Sequence, residues 1–130
     1  MVDANIIISA GLFPKSIVGK VLAHVAKNHE LVLCQYILKE LENVFKNKFT
    51  KRMEYLRKFV RRLKYEFVNV DIINNKKYPN IRDIDDLPVL ANAIESKVDV
   101  LITGDKDFDD VIIDTPKIMK PREYIEKYMK

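Results

Sequence analysis

Five short apolar runs punctuate the chain, and each reads as continuous rather than alternating. They are VDANIIIS, with its strand over 2–8, LVLC (31–34), EFVNVDII (66–73), DVLIT (99–103) and the brief KIM (117–119). A strand with one face in water alternates apolar and polar residues. A strand that is apolar at successive positions buries both faces. Between the runs lie segments with helical spacing. Their stripes are Ile17, Val18, Val21, Leu22 and Val25; Ile37, Leu38, Leu41, Val44 and Phe45; Met53, Leu56, Phe59, Val60 and Leu63; and Leu87, Leu90, Ala91, Ile94 and Val98. Pro14 and Ser16 mark one helix start, Asp85 or Asp86 caps another with Pro88 in its first turn, and Pro121 opens PREYIEKYM. Two-faced strands alternating with amphipathic helices specify an α/β fold, a parallel sheet covered by helices on both faces. No linker, repeat or low-complexity segment interrupts this order, so the 130 residues form one domain, 1–130.

Composition narrows the function classes. A chain 48% hydrophobic and 32% charged is globular. No apolar run approaches the ~18–20 residues that span a bilayer. MVDANIIISAGLF has an acid at position 3 and no positive region before its apolar run, which argues against a signal peptide and for the cytoplasm. The one cysteine, Cys34, excludes an internal disulfide and a multi-cysteine zinc site, and reads as a buried small hydrophobe. Gly11, Gly19 and Gly104 are too scattered for a dinucleotide fingerprint or a P-loop, which need clustered glycines at a phosphate. His24 and His29 share one helical region, are poorly placed as an acid–base pair, and read as structural.

The informative residues are acids. TGDKDF (103–108) leaves the DVLIT strand with Gly104 turning the chain, and it places Asp105 and Asp107 around Lys106. Ligands of open parallel sheets bind beyond the C-terminal ends of the strands. RDIDD, with Asp83, Asp85 and Asp86, opens a helix at that same edge. Asp3 sits inside an apolar run, where a carboxylate needs a metal or a hydrogen-bond network. Glu40 and Glu42 flank the stripe of the second helical segment, and periodicity does not choose between them. Carboxylates drawn together repel, and a divalent cation offsets that cost. Oxygen donors of this kind suit Mg²⁺ or Mn²⁺.

VDANIIISA, ILKELENVF, RDIDDLPVLANAI and LITGDKDF together resemble the four acidic motifs of the PIN domain, in order, spacing and context over nearly the whole chain. The resemblance implies a three-layer α/β/α sandwich with a mostly parallel central sheet. It also implies an Mg²⁺- or Mn²⁺-dependent ribonuclease of the toxin–antitoxin type. Carried over by position, Asp3 is the first acid with Asn5 beside it, Asp86 the third and Asp105 the fourth. Asp107 supports the site and Thr103 is a polar neighbour. The resemblance favours Glu40 as the second acid. Asp3, Asp86, Asp105 and Asp107 are then the metal ligands, and Asp3, Glu40, Asp86 and Asp105 the catalytic set. The strand before Asp3 is shorter than the family's usual one, with two residues ahead of it.

With no histidine or lysine placed as a base, a metal must activate water for in-line attack on a phosphodiester, which leaves a 5′-phosphate and a 3′-hydroxyl. Charge supports a polyanionic substrate. Segment 46–64 carries nine Lys or Arg against Glu54, a net of +8, while the rest of the chain is −4. Lys51, Arg52, Lys58, Arg61 and Arg62 lie on the outer face of that helix, placed for backbone phosphates. The expected partners are RNA, an antitoxin protein and a second copy of the chain, with no membrane. Two other readings compete. A non-catalytic RNA-binding or scaffold module has no use for the complete acidic set. A phospho-acceptor receiver or phosphatase needs a strand-terminal lysine that does not follow in order.

Overall fold

The structure, a computed structural model, describes residues 1–47, 50–71 and 75–130. Its elements are α1 (Ala4–Leu12), α2 (Ile17–Asn28), β1 (Val32–Cys34), α3 (Gln35–Asn47), α4 (Lys51–Arg62), β2 (Glu66–Val68), α5 (Leu87–Glu95), β3 (Val100–Ile102), β4 (Lys117–Met119) and α6 (Pro121–Tyr128). Three short 3₁₀ turns, Asn75–Lys77, Ile84–Asp86 and Lys106–Phe108, complete the described residues. Ile72 and Ile73 of the expected third strand, Asn74 of the polar loop and Lys48 of the basic run lie outside them.

Among the described residues every strand pairing is parallel. β1 runs beside β2, with Val32 opposite Glu66 and Cys34 opposite Val68. β3 runs beside β4, with Val100 opposite Lys117 and Ile102 opposite Met119. Val2 adds a parallel bridge to Ile102. The α/β class holds, although the described strands form two pairs rather than one continuous ladder.

The expected strand over 2–8 is corrected. Extended pairing stops after Val2, and Ala4–Leu12 is helical. Asp3 makes the switch: its backbone is still extended (φ −67°, ψ 154°), and its carboxylate accepts the Ala4 N–H as an N-cap. Isoleucine has a helix propensity below alanine's by less than ~0.7 kcal/mol per residue. Burying each of Ile6 and Ile7 contributes about 1.5–3 kcal/mol, so packing decides. Gly11 lets α1 lie against α4. A Cβ there would stand 2.5 Å from Leu56 Cδ1 and 2.8 Å from Phe59 Cδ2.

β2 departs from expectation too. Among the described residues it pairs on one side only, and Phe67 is 51% exposed, so it is an edge strand rather than a two-faced central one. The core is continuous from Ile7 and Leu22 through Leu33, Ile37 and Leu41 to Leu56, Leu90 and Leu101, with Cys34 buried in it. His24 receives a structural partner, since its Nδ1 lies 2.7 Å from the Tyr124 hydroxyl. No single described helix is long and apolar enough to cross a membrane.

Candidate metal centre

TGDKDF is a polar hinge anchored at both ends. The Thr103 backbone N–H donates to Met119 O at 3.0 Å, which continues the β3–β4 pairing by one residue. The buried Thr103 hydroxyl donates to Asp3 Oδ2 at 2.8 Å and accepts the Asp105 N–H at 3.1 Å. Asp105 Oδ1 then accepts the Asp107 N–H at 2.9 Å, capping the turn that buries Phe108. Gly104 does not make this bend. Its φ is not positive and a Cβ there would meet nothing within 4 Å, so the side chains of Thr103 and Asp105 direct the chain.

The second acidic segment arrives from α5. Asp83 Oδ1 accepts the Asp85 N–H at 2.9 Å and caps the turn Ile84–Asp86, which runs directly into α5. Asp86 occupies the N-cap position of α5 but makes no capping bond, and Asp85 is exposed. The expected cap by Asp85 or Asp86 is thereby corrected. Asp83 bends the chain, which leaves the Asp86 carboxylate free to face the β3 loop. Among the described residues, Asp86 Oδ2 is buried without a hydrogen-bond partner. Oxygens of Asp83, Asp86 and Asp107 all lie within 4.8 Å of one another.

Mutual repulsion marks the rest of the centre. Burial, then the charges of Asp105 and Asp83, then the neighbouring Asp107, push the Asp86 carboxyl up to about 7. Burial raises Asp3, with Asp105 adding to it, against hydrogen bonds from Thr103 and the Ala4 N–H that favour its ionised form. Burial raises Glu40 as well, followed by the charges of Asp3 and Asp105. Thus α1, α3, the α5 entry and the β3 loop turn acids toward a common space. Among the sequence candidates, the charge of Asp105 reaches Asp3, Glu40 and Asp86, that of Asp3 reaches Glu40, and Asp107 joins Asp83 and Asp86 in the close carboxylate group. Asp83 was among the acids able to converge but outside the expected ligand set. Its signal is its place three residues before Asp86, where one 3₁₀ turn stacks the two side chains. Asn5 is exposed.

These residues fit a hard divalent cation. An unpartnered buried carboxylate oxygen and repelling neighbours are both stabilised by positive charge. Asp83, Asp86 and Asp107 bring three such oxygen donors within 4.8 Å of one another, the hard-ligand chemistry that Mg²⁺ or Mn²⁺ takes. We expect Glu40→Gln, at a carboxyl that the charges of Asp3 and Asp105 reach, to lower metal-dependent activity strongly and Glu42→Gln to leave it nearly intact. Equal or reversed effects in parallel rate measurements would assign the second acid to Glu42.

The basic helix stands apart from the acids. Lys51, Arg52, Lys58, Arg61 and Arg62 are all exposed, and Arg52 lies over the Phe13 ring at 5.4 Å. α4 meets α1 at Gly11, eight residues along from Asp3, or about 12 Å at the helical rise.

The sequence profile of the PIN domain matches residues 1–107, more than three quarters of the chain. The chain belongs to the PIN domain family. A relative of this PIN domain is a Methanocaldococcus jannaschii protein named "Uncharacterized protein MJ1680". The two are 33% identical over 100% of this chain and 91% of the relative. Among solved structures, the crystal structure of VapBC2 from Rickettsia felis, bound to a DNA fragment from their promoter, shares the fold at a TM-score of 0.68. The match has 19% identity and covers 92% of this chain and 96% of the other.

Proposed function

We propose that this PIN domain is an Mg²⁺- or Mn²⁺-dependent endoribonuclease that acts in the cytoplasm as the toxin of a toxin–antitoxin pair. The observation that carries the reading is the Asp86 carboxylate. The group is partly exposed, but its Oδ2 is buried and, among the described residues, lacks a hydrogen-bond partner, and it is pressed by Asp83, Asp105 and Asp107. A scaffold has no need of such a group, whereas a cation site does. When bound, the divalent ion supplies an activated water and positive charge for a phosphodiester in the transition state.

The chain's own residues divide the remaining tasks. Asp83, Asp86 and Asp107, together with Asp3 and Asp105, would hold the ion directly or through water. Thr103 orients Asp3 through its hydroxyl, and that hydrogen bond favours the ionised form against the effect of burial. Glu40, on α3, faces Asp3 and Asp105 and can orient the attacking water or accept its proton. The partner half of the reading draws on the fold neighbour, which was solved as VapBC2 bound to promoter DNA. A protein antitoxin belongs to the proposal on that basis, and the homodimer belongs to it as an expectation from the sequence alone.

The decisive experiment is cleavage of single-stranded RNA by purified protein in Mn²⁺ or Mg²⁺, with arrest by EDTA and 5′-phosphate ends on the products. RNA left intact in either metal would overturn the nuclease and leave an RNA-binding or scaffold module. The basic helix has its own test. Replacing Lys58, Arg61 and Arg62 together by Ala should weaken RNA binding at low salt. It should also flatten the logarithmic salt slope by roughly 2, at about 0.7 per single-strand phosphate contact. An unchanged slope would make that face a partner-protein surface or simply solvated.

A further inference from the structure

A second space opens beside the acidic centre, away from the basic helix. It is a cavity of about 210 Å³ between the β3 loop and the start of α6, lined by Thr103, Asp105, Phe108, Asp109, Ile118 and Lys120, among others. That is below the ~300 Å³ at which self-sufficient ligand pockets begin, so it suits one small unit of a larger substrate. Its lining combines apolar side chains, Phe108 and Ile118 among them, with polar and charged ones. Asp105 belongs to both the cavity and the acidic centre, so whatever fills the cavity adjoins the reacting position.

Among the described residues, Lys120 is the one cation of this lining. Its Nζ lies 3.2 Å from Asp109 Oδ1, and the two side chains are 47% and 38% exposed. A pair this exposed contributes under about 1 kcal/mol, so exchanging its carboxylate for a phosphate costs little. An ammonium has three donors, and its contact with a phosphate oxygen is charge-assisted. The other acids of the lining are engaged elsewhere. Glu123 Oε1 accepts the Lys120 backbone N–H at 3.2 Å, and Asp105 Oδ1 accepts the Asp107 N–H. The backbone under Lys120 is therefore pinned while its ammonium stays exchangeable.

We propose that the cavity between Asp105 and Lys120 is a subsite for the sugar–phosphate unit next to the scissile phosphate, with Lys120 binding that phosphate and Asp109 holding the ammonium in place until substrate displaces it. The inference rests on the ribonuclease reading and extends it to the substrate's neighbouring nucleotide. It places a backbone contact on the α6 side of the centre, independent of α4. Because the contact is to phosphate and sugar, it favours no base.

Asp109 separates this role from a merely structural one. If the pair only ties the β3 loop to α6, removing either partner has the same effect. If Asp109 competes with substrate, the two substitutions act in opposite directions. The experiment is steady-state cleavage of one short oligoribonucleotide in Mn²⁺ at several salt concentrations by the parent, Lys120→Ala, Asp109→Asn and the double variant, each checked by thermal melting. Lys120→Ala should raise KM roughly tenfold at low salt, with kcat falling less than KM rises, and should flatten the salt slope by about 0.7. Asp109→Asn should lower KM severalfold, and the double variant should match Lys120→Ala. A parent-like KM and salt slope in Lys120→Ala, or a raised KM in Asp109→Asn, overturns the subsite while parental cleavage preserves the nuclease. A parent that fails to cleave in either metal overturns both.

Discussion

Asp105→Asn is expected to lower metal-dependent RNA cleavage by at least about a hundredfold, equivalent to roughly 2.7 kcal/mol of transition-state stabilisation. The size follows from the position. Asp105 is the acid whose charge reaches Asp3, Glu40 and Asp86 together. Its carboxylate also sets the turn through the Asp107 N–H. Asparagine retains an oxygen for that hydrogen bond, so the loop keeps its path while the centre loses a negative charge. The loss should therefore appear in kcat rather than in folding. Asp86→Asn should match it, by removing the unpartnered oxygen. Cleavage at the parental rate by either variant, in preparations matched by melting temperature, would identify a contaminating nuclease.

The second large effect concerns stability without metal. Asp86 is raised from 3.8 to about 7 in the folded protein. A carboxyl whose folded pKa lies above its unfolded value binds its proton more tightly when folded. Its contribution to stability is therefore fully present below pH 3.8 and is lost as pH rises toward 7. Other acids move in the same direction, since Asp3 and Glu40 are also raised. Because Asp86 is partly exposed, solvent screening leaves its share at ~1–2 kcal/mol. In EDTA at pH 7.5, Asp86→Asn should melt several degrees above the parent, and the gap should close toward pH 4. Saturating Mn²⁺ should reverse the order. At a hundredfold excess over Kd it adds about 2.7 kcal/mol to the parent and much less to the variant. A variant less stable than the parent at both pH values, with an equal response to Mn²⁺, would return these acids to turn-making alone.

Much of this was legible in the chain. Stripes such as Met53, Leu56 and Phe59 marked α4, and Ser16 and Thr50 cap α2 and α4 through their hydroxyls. DVLIT and KIM became neighbouring parallel strands. The misreading of 2–8 has a definite source. Four β-branched or strand-compatible residues around Asp3 carry the same local signal in a strand and in a helix buried on most sides, and only the packing of α1 against α2, α3 and α4 separates them. β2 was misjudged for a related reason. An apolar residue such as Phe67 reads as buried in sequence, but exposure at a sheet edge depends on which strand stands next to it.

The candidate site divides in the same way. Residue type and order placed Asp3, Asp83, Asp85 or Asp86, and Asp105 or Asp107 at one edge of a parallel α/β chain, and the PIN-domain resemblance singled out Asp3, Asp86, Asp105 and Asp107. Periodicity could not choose Glu40 over Glu42, since both flank the same stripe. The choice depends on distances across the fold, and Glu40 feels Asp3 and Asp105. Nor could spacing show that Asp83 takes the capping bond and leaves Asp86 unpartnered, or that Thr103 bridges Asp3 to Asp105 across a hundred residues of chain. By itself the sequence determined which side chains are ionisable, which segments are amphipathic and in what order they follow, because those are properties of local chemistry. Tertiary structure decided which acids share a space, which are held by hydrogen bonds and which are left for a cation, because electrostatic coupling depends on through-space distance and burial, and both arise only when α1, α3, α5 and the β3 loop close on one another.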